Sequence, residues 1–180
     1  NFLITGDMSS GIKTFIKSFV ISLIFRLKDN FGLILCDFYN EFEDLKYLPN
    51  LFYPVNKKVE GLDDIFDELT VELEKRLNII NEYGTDNYLN LNKTLINKKM
   101  EEVKPIFVII NNLDELRKKN YNLHNKALYF LKFGYKVGIH LIMINRSYGI
   151  DSSILSNTKT KLLFKTANPD LSYEVISSAN

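Results

Sequence analysis

The sequence has no tryptophan, one cysteine and four prolines in 180 residues, and its charges almost cancel. Each shortage excludes something. A lone Cys36 has no partner for an internal disulfide, and its place in the apolar run Leu33-Ile34-Leu35-Cys36 predicts a buried, inert thiol. The two histidines lack metal-ligand spacing and no His–Cys cluster accompanies them, so no metal site is expected. Twenty-three basic residues against 22 acidic ones leave a formal charge of +1. That balance offers no basic field for nucleic acid and no polybasic patch for a membrane. The apolar run Phe19 to Phe25 is too short to span a bilayer, which needs about 20 apolar residues. No signal peptide is visible, and the first residue already stands at the threshold of a strand, which reads as a piece cut from something longer.

What the chain does have is apolar content of 46%, enough for one domain with a substantial core. Its aromatic content rests on 10 tyrosines and 13 phenylalanines, residues that fill cores and also anchor interfaces. Strand-like runs at Phe2–Thr5, Leu33–Asp37, Ile106–Ile110 and Ile139–Ile144, with a fifth at Lys161–Phe164, alternate with helical patterns. Continuous apolar runs of this length predict parallel strands buried on both faces. Helices are expected from about Gly11 to Leu27, from Leu62 to Tyr83 and from Asn122 to Phe133. In the second, Leu62, Ile65, Phe66, Leu69, Leu73, Leu77 and Ile80 keep a 3.6-residue period until Gly84 stops it. The Asn- and Lys-rich stretch Thr85 to Lys104 reads as a loop or short helix on the surface.

Between the first strand and the first helix stands Gly6-Asp7-Met8-Ser9-Ser10-Gly11-Ile12-Lys13-Thr14. A strand, a glycine loop and a helix are the setting of a phosphate-binding loop. A working loop then needs Lys for the β/γ-phosphates and Ser or Thr for magnesium. Here Gly6 and Gly11 keep the glycine spacing, but Ile12 and Lys13 follow. Sliding by one residue makes Lys13-Thr14 the functional pair, at the cost of β-branched Ile12 where a glycine should curl. Neither register is complete. An ordinary strand–turn–helix junction with Ser and Gly as turn formers explains the loop equally well.

The third strand ends in Asn111-Asn112, where a nucleotide hydrolase carries an acid for the magnesium shell and another to activate water. An amide holds no charge and takes no proton from water at neutral pH. Asp114 and Glu115 lie just beyond, in the first turn of a helix, where the dipole favours acids. The fourth strand closes with Asn145-Arg146, at the sheet end where α/β folds bind ligands. Arg146 is either an anion contact or a surface salt-bridge partner. His140, inside the same strand, reads as a hydrogen-bonded core histidine.

Several of these segments, in this order, resemble the FtsK/SpoIIIE family of P-loop translocases. The resemblance rests on the helix Gly11 to Arg26, on Asp37 after the second strand and on Leu48-Pro49-Asn50-Leu51. It continues in Glu74-Lys75-Arg76-Leu77 through Gly84, and in Gly138-Ile139-His140-Leu141 with Asn145-Arg146, where the family ends in Gln-Arg-Pro. It covers residues 1 to about 165. It implies one RecA-like P-loop domain over 1–180, an α/β fold with a mostly parallel sheet flanked by helices. The departures fall at Ile12, Lys13, Asn111, Asn112 and Asn145. The vestigial nucleotide site is therefore Gly6, Ser9, Ser10, Gly11, Ile12, Lys13, Thr14, Asn111, Asn112, Asn145 and Arg146, with no catalytic residue and no metal. Mg-ATP is expected to bind weakly or not at all, and the helix end to hold at most a sulfate or phosphate.

Within that family, degenerate later modules are a feature of the EssC-like coupling ATPases of type VII secretion. This implies a non-hydrolysing module on the cytoplasmic side of a bacterial membrane. Its implied partners are secreted substrate proteins and adjacent ATPase modules of the same chain, in a hexamer of the full-length protein, with no nucleic acid. An active DNA or protein motor and a structural ring module are the alternatives.

Overall fold

The computed structural model describes residues 1–178. Five strands, β1 (Phe2–Thr5), β2 (Gly32–Asp37), β3 (Ile106–Asn111), β4 (Ile139–Asn145) and β5 (Thr160–Leu163), form one sheet in the order β2-β3-β4-β1-β5. Every pairing is parallel, so each connection must cross over the sheet, and helices do this. In chain order they are α1 (Ile12–Leu27), α2 (Leu62–Glu82), α3 (Tyr88–Asn97), α4 (Leu113–Lys119), α5 (Tyr121–Val137), α6 (Ser152–Asn157) and α7 (Pro169–Ser177).

Strands β1 to β4 are buried on both faces, which is why they are apolar without alternation, while the edge strand β5 is exposed or half-buried along its length. Leu33, Leu35, Ile109, Ile142 and Ile144 join Ile12, Ile16 and Val20 of α1 in one layer. Their neighbours Ile34, Cys36, Val108, Ile110, Leu141 and Met143 face the opposite layer, with Leu62, Phe66 and Leu73 of α2 and Phe130 of α5. Phe66 and Phe130 meet edge to face at 5.8 Å. Burying side chains of this size contributes about 1.5–3 kcal/mol each. Burial pushes the Cys36 thiol up to about 12, with Asp37 adding to the shift, so the thiol stays protonated and inert.

Two expectations are refined. Of the loop or short surface helix expected over Thr85 to Lys104, the structure has the helix: α3 spans ten residues, Asn87 caps it by accepting from the N–H groups of Leu89 and Asn90, and Leu91 and Leu95 tie it to the core. The Asn-rich composition hid a two-residue apolar stripe at i, i+4 spacing. His140 is the other. Its surroundings are aromatic, with the Phe107 ring stacked at 5.3 Å and the Tyr88 ring edge-on at 5.9 Å. Burial first, then the charges of the terminal amine and Arg76, lower its pKa to about 4. The imidazole is therefore neutral at pH 7.

Candidate functional site

The carboxyl ends of four strands come level in the sheet. Asp37 pairs with Asn111, Asn111 with Ile144, and Asn145 with Thr5. The loop Gly6–Gly11 leaves β1 at that edge and leads into α1. Gly6 has φ +148, and a Cβ there would meet Phe164 Cβ at 2.7 Å and the Lys165 carbonyl oxygen at 3.2 Å. Gly11 has φ +97 and caps α1 without a side-chain hydrogen bond. Both conformations favour glycine, and they place Gly6 and Gly11 as the two loop glycines with Ile12 opening the helix.

The side chains of the loop do not converge on one point. Ile12 is fully buried in the α1 layer of the core. Ser9, Lys13 and Thr14 are exposed. Ser10 turns inward, its N–H and hydroxyl both donating to the Asp7 carbonyl oxygen at 3.1 and 2.6 Å. Asp7 is tied to the β5–α7 connection: its carboxylate accepts from the Thr166 hydroxyl at 3.1 Å and the Ala167 N–H at 2.8 Å. The first turn of α1 keeps the unpaired N–H groups of any helix start.

At the ends of β2, β3 and β4 the polar side chains do converge. Asn111 Nδ2 donates to Asp37 at 2.8 Å and to Glu41 at 2.9 Å, while its Oδ1 accepts from Arg146 at 2.9 Å. Arg146 closes the ring on Glu41 at 2.7 Å, and the two side chains are only 9% and 10% exposed. Asp37 also accepts from the N–H groups of Glu41 and Phe42. Asn112, at φ +82, donates to the Tyr39 hydroxyl at 2.5 Å. The Tyr39 ring lies 5.4 Å from the guanidinium of Arg146. Asn145 turns away, donating to the Ser147 carbonyl at 2.6 Å.

An amide is the side chain this arrangement requires at 111. It donates to two carboxylates and accepts from a guanidinium at once, which neither Asp nor Glu does in its ionised form. Among the described residues, Thr5 Oγ1 and Arg146 Nε are buried at this end of the sheet without a hydrogen-bond partner. Arg146 is thus a buried ion-pair partner and not a surface one. Asp114 and Glu115 sit in the first turn of α4, with Asp114 facing Arg117 and Lys118 at 3.7 and 3.8 Å, away from the strand-end ring. Glu41 and Tyr39 complete the ring from a loop with no periodic signal. Asn111, Arg146 and Asp37, each at a strand end, were the members that the sequence pointed to.

The profile of the FtsK/SpoIIIE family matches residues 1–159. The chain belongs to the FtsK/SpoIIIE family. It is similar, at 22% identity over 188 residues, to the ESX secretion system protein YukB of Bacillus subtilis (strain 168), covering 99% of this chain and 12% of that protein. It also superposes on EssC (ATPases 2 and 3) of Geobacillus thermodenitrificans with a TM-score of 0.89 and 18% identity, over 97% of this chain and 34% of that one. EccC (ATPases 2 and 3) of Thermomonospora curvata, in complex with a signal sequence peptide, gives 0.61 at 14% identity over 81% of this chain and 24% of that one. The chain thus spans 12% to 34% of the length of these relatives, and the likenesses establish a P-loop ATPase fold. No described helix is long and apolar enough to cross a membrane.

Set against an FtsK/SpoIIIE ATPase site, the donor set here does not fit a magnesium triphosphate. The position that follows the last loop glycine is a core isoleucine, the next is an exposed ammonium, and the strand-end acids are two amides already engaged by neighbouring side chains. What the ring does chemically is hold three strand ends together with charge-assisted hydrogen bonds.

Proposed function

We propose that this domain is a non-hydrolysing ATPase-like module of a type VII secretion coupling protein, one that recognises secreted substrates, regulates neighbouring ATPase modules, or does both. One observation carries the reading: the strand ends that would hold metal and attacking water hold instead a closed Asp37–Asn111–Glu41–Arg146 ring. Ile12, packed into the core, supports it from the other side of the site. Mg-ATP then binds weakly or not at all, and a sulfate or phosphate on the α1 N–H groups is the most that the loop holds. A domain without hydrolysis acts through its surfaces. The signal sequence peptide in the EccC relative favours secreted segments as partners, on the cytoplasmic side of the membrane.

The test combines two assays on the isolated chain. Pull-down of candidate secreted substrates, with and without ATP, is expected to give nucleotide-independent capture, while phosphate release stays at background. Hydrolysis well above background would restore the motor reading. Absence of capture, with secretion intact after deletion of the domain, would leave a structural ring module.

A further inference from the structure

Overall neutrality conceals a division of charge. Residues 127–169 carry six Lys or Arg and a single acid, Asp151, although the whole chain sums to +1. The fold gathers part of this excess at the amino end of β5. Two cavities of about 520 Å³ each meet there and share Ser156 and Lys159. Lys132 of α5 lines one, and Lys161 of β5 the other; Lys159 belongs to both. Among the described residues no carboxylate lines either cavity or pairs with these three lysines, whereas Lys126 on the same helix is held by Asp67 at 2.6 Å and Asp63 at 3.5 Å. Lys161 donates to the neutral Ser178 carbonyl at 3.0 Å, and no described carboxylate compensates its charge. Leu131, Tyr135 and Leu155 supply apolar wall between the ammonium groups.

The sheet edge beside these cavities is open. Among the described residues β5 pairs with β1 alone. At the opposite edge, Leu51 and Asn56 bridge to β2, and the backbone of Leu33, Leu35 and Asp37 is bonded to that loop. One edge is blunted and the other presents unpaired main-chain groups, the template for strand addition. We propose that the groove of α5, α6 and β5 docks an acidic, extended segment of a protein partner, added along β5 with its carboxylates on Lys132, Lys159 and Lys161. This deepens the recognition reading above and rests on it for the class of partner. Charge complementarity of this kind sets specificity and on-rate. A four-residue strand is about 13 Å long, a span suited to a few side chains and short for a nucleic-acid track. The groove is concave, unlike a face that lies on a bilayer.

The probe is a fluorescent peptide alternating Glu with Thr and Leu, titrated against the 180-residue chain beside its Gln-for-Glu counterpart. The acidic peptide is expected to bind, with affinity falling as salt rises. Reversal of the exposed lysines in the double variant Lys132→Glu/Lys159→Glu should weaken it at least about tenfold, while the same reversal at Lys93 and Lys99 leaves it within about twofold, all variants melting alike. Equal binding of the Gln peptide, or no loss in the groove variant, overturns the proposal. So does preferential, groove-dependent binding of phosphatidylserine vesicles or an oligodeoxythymidine. The two readings separate on a captured substrate. If the groove variant still captures it, the groove fails and recognition stands. If the chain binds acidic peptide through the groove but captures no secreted protein, the groove stands and recognition fails.

Discussion

Replacing Arg146 with methionine removes the cation from a ring that is otherwise acidic. Arg146 and Glu41 are 9% and 10% exposed and 2.7 Å apart, so solvent screens the pair little. Stranding one member of a buried pair costs about 3–5 kcal/mol. Asn111 Oδ1 loses its donor as well, whereas Glu41 keeps the Asn111 Nδ2 bond at 2.9 Å, which places the expected loss at about 3 kcal/mol. The double variant Glu41→Leu/Arg146→Met removes both charges, and apolar replacement of a buried pair is nearly neutral, within about 1 kcal/mol. Urea unfolding at neutral pH, followed by circular dichroism, measures both variants and each single change in one double-mutant cycle. Glu41→Leu strands Arg146 in turn, so a coupling of at least about 2–3 kcal/mol is expected. An Arg146→Met loss under about 0.5 kcal/mol, or effects that simply add, would refute the view that the ring is a tight buried network.

Three further outcomes follow from the same geometry. Asn111→Asp removes the donor to Asp37 and Glu41 and brings a third carboxylate beside them, so stability should drop by about 2–4 kcal/mol at pH 7 and recover in part at pH 5, read by thermal melts at both pH values. Ile12→Lys with Lys13→Thr puts an ammonium stem into a fully buried core position; a loss of about 2–4 kcal/mol, roughly 4–16 °C in Tm, is expected with no phosphate release above background, because the amides at 111 and 112 remain. His140 has a folded pKa of about 4 against 6.5, so the unfolded chain binds the proton more readily between those values and stability is lost as pH falls through that window. His140→Phe should abolish up to about 3 kcal/mol of that pH dependence in urea titrations, and an unchanged profile would contradict the burial of a neutral imidazole.

The sheet was legible because its signal is local. Four apolar runs, each too continuous for a half-exposed strand, located β1 to β4 to within a residue or two, and the mixed run Lys161–Phe164 located β5, which is exposed or half-buried. Helix α2 announced itself through seven apolar residues in period and Gly84 after them. Helix α3 did not, since Leu91 and Leu95 are too few to outweigh an Asn-rich surround, and α6 and α7 are too short to carry a period. The candidate site divides in the same way. Its glycines, amides and Arg146 were visible from their places after strands. Glu41 and Tyr39 were not, because they act across 70 to 105 residues of chain from a loop that local pattern leaves blank. A sequence window shows the amides at 111 and 112, but the side chains they bind are settled only by packing.

The most direct measurement is titration calorimetry of Mg-ATP into the chain, with the same protein assayed for phosphate release. With Ile12 in the core and Asn111 committed to Asp37, Glu41 and Arg146, the phosphate contacts that are missing are each worth about 1.5–3 kcal/mol. Binding should therefore be absent or weaker than about 1 mM, with release at background. Saturable binding in the low micromolar range, or turnover above background that a Glu41→Leu/Arg146→Met variant changes, would contradict a site closed by its own side chains.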